Sequence, residues 1–146
     1  MNVSANPNQS DTKEGLVAYP AYSNLTGFDN SLVKIVNNNG AANFALPAAN
    51  TDFAYYVLAA GDVAGNTVYA EVPESGENVR LLFSGTCNPG DALSLNPNVW
   101  GQIYKPATGA GSIPCDWVAE EAGVGATSAV PQLLKVRRIP RVNVTF

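Results

Sequence analysis

The side chains of this sequence that could carry acid–base or nucleophilic chemistry are few. There are two cysteines, Cys87 and Cys115, twelve carboxylates, and no histidine in 146 residues. Without an imidazole there is no Ser-His-Asp or Cys-His machinery and no histidine-containing zinc site. Nothing beside either cysteine would lower its thiol pKa. The Gly-x-Ser-x-Gly elbow and the glycine-rich phosphate loop ending in Lys-Ser/Thr are both absent. Glu120 and Glu121 are adjacent, so a strand sends them to opposite faces and a helix splays them by about 100°. Asp62, Asp91, Asp116 and Glu120 remain as carboxylates that distant segments could bring together as a glycosidase does. Solvated loop carboxylates are the plainer reading, because Asp62 and Asp91 each follow a glycine where aspartate caps turns. No Asp-x-Asp-x-Asp-Gly calcium loop is present. The residues therefore assign no catalytic centre, no cofactor and no metal.

Two tryptophans and several tyrosines offer contact chemistry instead. Exposed aromatics on β-modules stack on sugars, although a tryptophan in a domain of this size more often fills the core with its N–H paired. Trp100 and Trp117 are open to either reading. Tyr55, Tyr56, Tyr69 and Tyr104 are placed to be half exposed, and tyrosine is enriched at protein interfaces.

Charge is scarce and uneven. Charged residues make up 14% of the chain, against roughly 25% in an ordinary soluble protein, and 16 asparagines supply much of the polarity instead. The formal net charge is -4, which argues against a general nucleic-acid binder. Residues 1–134 hold every acid and only four bases, a net -8, whereas residues 135–146 hold Lys135, Arg137, Arg138, Arg141 and no acid, a net +4. This basic strand could dock on an acidic surface of a neighbouring copy or larger partner, or pair with the chain's own acids.

The length suits one domain able to bury a core. Residues 1–30 show no basic start followed by an apolar run, and no apolar stretch approaches the roughly 20 residues of a membrane-crossing helix. The expectation is a protein made in the cytoplasm, with no membrane partner. In that compartment the thiols usually stay reduced, although one Cys87–Cys115 disulfide is left open. Asn2, Asn8, Asn24 and Asn143 head Asn-x-Ser/Thr triplets, which we read as coincidence in so asparagine-rich a chain.

The elements that must position these residues read as β throughout. Residues 1–30 form an extended arm: Asn2 to Gly15 are polar and without apolar period. Tyr19, Tyr22, Leu25 and Phe28 then follow at irregular spacing, suited to a segment laid over its own surface or a partner's, or to a frayed terminus. From residue 31 to 146 short apolar runs alternate with turn signals. Leu32–Val36 is followed by Asn37-Asn38-Asn39-Gly40, a tight-turn sequence. Further runs are Ala54–Ala60, Thr67–Val72, Val79–Phe83, Ala92–Leu95 and Gly101–Lys105. Turns every 8–12 residues with no long 3.6-residue period indicate a small, mostly β barrel or sandwich, with at most one short helix around Trp117–Ala122. Leu134 and Val136 alternate with Lys135 and Arg137, and Val142, Val144 and Phe146 with Arg141, Asn143 and Thr145. Between these runs Arg138 and Ile139 fall on the wrong faces and Pro140 cannot donate to a ladder. A bulge or an edge position is expected there.

The order of elements over residues 79–125 resembles the small capsid decoration (cement) proteins of tailed bacteriophages. An apolar strand, Val79–Phe83, leads to Ser84-Gly85-Thr86, then Gly90-Asp91-Ala92-Leu93-Ser94-Leu95, a turn and Gly101-Gln102-Ile103. A Pro/Thr/Gly-rich linker precedes Asp116-Trp117-Val118-Ala119-Glu120-Glu121-Ala122-Gly123 and a final strand. Ala60-Gly61-Asp62-Val63-Ala64-Gly65-Asn66-Thr67-Val68 fits the family's opening turn, so the resemblance spans roughly residues 54–146. The Asn-rich arm and the two cysteines have no counterpart in it. The resemblance implies a β-barrel-like structural protein of the virion that binds the outside of the expanded head shell. It would often do so as a trimer, with an extended terminal arm on the major capsid protein. The contact candidates are then Tyr19, Tyr22 and Phe28 of the arm and Lys135, Arg137, Arg138 and Arg141 of the C-terminal strand. The alternatives are a carbohydrate-binding module of a fibre or adhesin, using Trp100 or Tyr104, and a histidine-free hydrolase with two carboxylates.

Overall fold

The computed structural model describes residues 16–146, and they fold entirely as strands, turns and loops. In chain order the strands are β1 (Val17–Pro20), β2 (Leu32–Asn38), β3 (Ala41–Ala45), β4 (Tyr56–Ala60), β5 (Thr67–Glu71) and β6 (Asn78–Phe83). They continue as β7 (Gly85–Cys87), β8 (Ala92–Leu95), β9 (Ile103–Tyr104), β10 (Ser112–Ala119), β11 (Gly123–Ala126) and β12 (Gln132–Thr145). The mostly β class expected from the turn spacing is the observed one. Where the sequence left room for a short helix, Trp117–Ala119 end β10 and a bend follows.

Two barrel-like sheets are built from these strands. The first has the order β1-β5-β4-β2-β3, and the second, β10-β12-β6-β9-β8, closes on itself. In the first, a single parallel bridge from Ala21 to Phe44 draws the two edges together. The small ribbon β7–β11 stands apart from both. The hairpin β2–β3 turns at Asn39 (φ 51°) and Gly40 (φ 88°), the two positive-φ positions that a tight two-residue hairpin turn requires. The amide of Gly40 also donates to Asn37 Oδ1 at 2.7 Å, which fixes the turn.

Strands β2 and β4 are the wall shared by two cores. Successive side chains of a strand point to opposite faces. Leu32 and Val57 therefore enter one core, with Leu81, Phe83, Leu93, Leu95, Ile103, Trp117, Leu134 and Val136. Their neighbours Val33 and Leu58 enter the other, with Ala21, Leu25, Phe44, Val68 and Ala70. A strand buried on both faces reads as a continuous apolar run, as the adjacent residues Leu32-Val33 and Val57-Leu58 do, whereas Ile35, Ala59 and Ala60 farther along are exposed. In β6, solvated on one face, Leu81 and Phe83 are fully buried while Arg80 is exposed. Each fully buried leucine or phenylalanine contributes roughly 1.5–3 kcal/mol relative to its exposed state.

Of the two surfaces open to the aromatic part of the expected arm, residues 17–30 lie on the chain's own. Val17–Pro20 pair with Thr67–Ala70, and Ala21 and Leu25 are buried in the first core. Residues 17–30 are held by the chain's own sheet, because Leu25 donates to the carbonyl of Asp62 and Ala21 to that of Asn66, each at 2.8 Å. The remainder of the expected arm, residues 1–15, lies outside the described residues.

The register break foreseen at Arg138–Pro140 is a bulge. Trp117 stands opposite Arg138 and Cys115 opposite Val142, so Asp116 alone faces Ile139, Pro140 and Arg141. Beyond the bulge, Phe146 donates to Gly111 at 3.0 Å. Antiparallel pairing alternates bonded and non-bonded pairs, so Val142 and Val144 bond inward to β10. The amides and carbonyls of Asn143 and Thr145 face outward, away from β10. Pro114 lies opposite Asn143, at a non-bonded pair where a missing N–H does not interrupt the ladder.

Candidate functional site

The bulge decides where the C-terminal bases go. It brings Arg141 onto Asp116, with Nε donating to Oδ1 at 3.0 Å and Nη2 to Oδ2 at 2.9 Å. The same guanidinium donates to the carbonyls of Thr51 at 3.0 Å and Asp52 at 2.7 Å, and it lies 4.6 Å from the centre of the Phe53 ring. Arg138 stacks on Tyr55 at 4.3 Å and donates to the Pro73 carbonyl. Arg137 pairs with Glu120 at 2.9 Å and donates to the Gly76 carbonyl. Of the two readings of the basic strand, the structure shows pairing with the chain's own groups for Arg137, Arg138 and Arg141. Lys135 makes no ion pair among the described residues, although its amide donates to Glu121 Oε1 at 2.8 Å.

These contacts tie the loop before β4 to β10 and β12. The hydrogen bond to Asp116 raises the Arg141 pKa, and burial raises that of Tyr55, with Asp116 adding to the effect. The cluster is a staple rather than a reaction centre: four guanidinium hydrogen bonds are spent on fixed acceptors. Sequence reasoning had named Asp116 and Arg141 separately. The signal that could have joined them was Pro140, since a bulge re-aims the side chains beside it.

The arm candidates separate. Tyr19 meets Phe44 edge to face, ring centres 5.2 Å apart, and Phe28 packs half-buried against the same core. Tyr22 is exposed, with its amide donating to the Phe44 carbonyl. The two tryptophans divide likewise: Trp117 is fully buried, whereas Trp100 is 53% exposed.

Of the carboxylates considered for acid–base work, Asp116 and Glu120 hold Arg141 and Arg137, and Asp62 Oδ1 accepts from the amide of Val63 at 2.7 Å. Asp91 accepts from the amide of Asn88 at 2.8 Å and from Lys105 at 2.9 Å, and these partners lower its pKa. Glu121 is lowered chiefly by the amide of Lys135 and further by Arg80, 3.0 Å away. Asp52 is penalised by burial, but bonds from Ala48, Lys34 and Ala49 outweigh it and leave its pKa low. A general acid at neutral pH needs the opposite displacement. Cys87 and Cys115 are both free and buried. Burial raises the Cys87 pKa and, with the charge of Asp116, pushes Cys115 up to about 11. Their thiols are thus protonated at neutral pH and poor nucleophiles.

The outward-facing groups include a main-chain edge, the aromatic side chains of Tyr22, Phe53, Tyr69 and Trp100, and aliphatic ones such as Val124 and Val130. The outer edge of β12 at Asn143 and Thr145 is unpaired among the described residues, since β6 pairs only with Gln132–Arg137. In comparison with known proteins, no family model matches the chain. No curated protein shows significant sequence similarity to it.

Proposed function

We propose that the chain is a structural virion protein, a decoration or cement protein that binds the outer surface of a tailed-phage head shell and stabilises it. The observation that carries this reading is the open edge of β12 at Asn143 and Thr145. Main-chain groups there can take up a strand of the major capsid protein, and strand addition supplies affinity without catalytic chemistry. The element order over residues 54–146, which resembles the decoration proteins, supports it. A trimer on the shell would gain avidity from several weak contacts.

Within this reading the roles of the candidate residues divide. Arg137, Arg138 and Arg141 hold β12 in place, while Asn143, Thr145, Lys135 and Tyr22 meet the shell. Tyr19 and Phe28 are held in the chain's own core. Nucleic acid and membrane play no part. The test is Asn143→Pro, which removes an outward N–H and leaves the inward bonds of Val142 and Val144 in place. Shell occupancy should fall at least about tenfold, equivalent to about 1.4 kcal/mol of binding, with little change in the melting temperature of the free protein. Unchanged occupancy would remove the edge from the account.

A further inference from the structure

Beyond Arg138 no main-chain hydrogen bond is made on the outer side of β12 among the described residues. β6 pairs with Gln132–Arg137. Arg138 closes that ladder, donating to the Glu77 carbonyl at 2.9 Å and accepting from the Gly76 amide at 2.8 Å. Farther on, Val142 and Val144 bond inward to β10 and Phe146 to Gly111. Alternation then leaves the N–H and carbonyl groups of Asn143 and Thr145 pointing outward, and both residues are exposed.

Natural edge strands are blunted by lysine, proline or a bulge, because a bare edge is a template for another strand. Here the bulge and Pro140 come earlier, and Arg141 is held on Asp116. Residues 142–146, Val-Asn-Val-Thr-Phe, carry no charged side chain and no proline. Asn143 and Thr145 share one face of this stretch, and Val142, Val144 and Phe146 share the other. The apolar face continues that of buried Ile113 and Cys115, yet Val142 is 47% exposed.

This stretch is complementary to itself. Two copies placed antiparallel about a two-fold axis through Val144 set Asn143 opposite Thr145 of the second copy, and Thr145 opposite its Asn143. Each such pair exchanges both main-chain bonds, and the contact is isologous. On the apolar face Val144 meets its own counterpart, and Val142 meets the counterpart of Phe146, which covers the exposed valine. A shift of one residue would set outward groups against inward ones. A shift of two would set Phe146 against Pro140 in the bulge.

We infer that in the free protein the outer edge of β12 is sealed by the same edge of a second copy, paired antiparallel about Val144. The inference rests on the reading of this edge as a strand acceptor and deepens it, naming the occupant that a shell strand would displace. Two such short strands are a small contact beside the roughly 1,200–2,000 Å² of a stable interface. The pair therefore forms at high protein concentration and gives way to a longer strand.

The test is disulfide trapping of the full chain under mild oxidation. At a non-bonded antiparallel pair the Cα atoms are about 4.5 Å apart, within the span of a disulfide. The two copies of residue 143 instead lie on a diagonal, about 7–8 Å apart. Val144→Cys should therefore cross-link to a dimer at least about tenfold faster than Asn143→Cys. Exposure alone would favour the reverse order, since Asn143 is exposed and Val144 half-buried. Cys87 and Cys115 are buried, so the parent chain should stay uncross-linked. In sedimentation the average mass of the parent should rise with concentration. Asn143→Pro should lower that rise, as should Val142→Lys, which puts a charge at an exposed position; unfolding at low concentration should be unchanged in both. Asn143→Cys cross-linking as fast as Val144→Cys overturns the inference, and so does a parent mass that neither variant lowers. Neither readout involves a shell. A chain that pairs in this way but stays off the shell sinks the capsid reading alone, and one that binds shells without pairing sinks this inference alone.

Discussion

Arg141 and Asp116 form a two-bond pair, Nε to Oδ1 at 3.0 Å and Nη2 to Oδ2 at 2.9 Å, inside the bulge where β12 slips past β10. The Asp116 side chain is only 4% exposed and that of Arg141 22%. Removing one partner leaves a desolvated charge behind, a loss of roughly 3–5 kcal/mol for buried pairs. Arg141→Ala should therefore destabilise the fold strongly in urea unfolding. Arg141→Lys should not restore it, because an ammonium cannot reproduce the planar fork. The double variant Asp116→Ala/Arg141→Ala should lose less than the sum of the singles, with a coupling of roughly 1–3 kcal/mol. Strict additivity would mean that the pair is not what holds the bulge.

Gly61 is a second fixed point. A methyl group there would overlap the backbone carbonyl of Leu25, the residue that plugs the first core. Backbone cannot yield as a side-chain tip does, so Gly61→Ala should destabilise by at least about 1–3 kcal/mol, the usual range for overpacking. Thermal unfolding of the variant measures this. A melting temperature equal to the parent's would contradict the close packing of residues 21–31 on the β4–β5 turn.

Stability should be flat in pH where most proteins titrate histidine, since none is present. Asp52, Asp91 and Glu121 have folded pKa values below their ordinary ones. Between the folded and unfolded pKa the unfolded chain binds more protons, so stability is present above the unfolded value and is lost as pH falls through the folded one. The melting temperature should vary little from pH 6 to 8 and fall below about pH 4.5, near the ordinary carboxylate values. A marked step between pH 6 and 7 would require a titrating group that the structure does not supply.

Both thiols are buried and protonated, with Cys115 pushed up to about 11. The native protein should react with a thiol reagent far more slowly than the unfolded protein, in which both cysteines become available. Equal rates in the two states would show that the cores around Cys87 and Cys115 open readily.

The sequence made the strands of β6 and β12 legible because one face of each is solvated and the other buried, and β8 because Ser94, though buried, is a polar residue that donates to the Pro114 carbonyl. The Pro140 break marked the bulge for the same reason, as two alternating runs could not share one register. Which surface segment 17–30 lies on was not legible, because its core contacts, Ala21 and Leu25, follow no period. They are fixed by single backbone bonds to Asn66 and Asp62, which no local pattern announces. The division of the apolar runs into two cores was hidden as well, because a strand buried on both faces has no alternation to read. Gly123, part of the segment resembling decoration proteins, has a packing reason: a methyl group there would collide with Phe83. The partners of the arginines depend on non-local loops, and only the bulge beside Asp116 hinted at one of them.

The capsid reading is tested most directly by mixing the purified chain with expanded head shells of a tailed phage that carry no decoration protein and sedimenting them. The account predicts that the chain co-sediments in a fixed, saturable ratio to the major capsid protein and raises the temperature at which the shell comes apart. A chain that stays in the supernatant at saturating concentration, with shell stability unchanged, would contradict it.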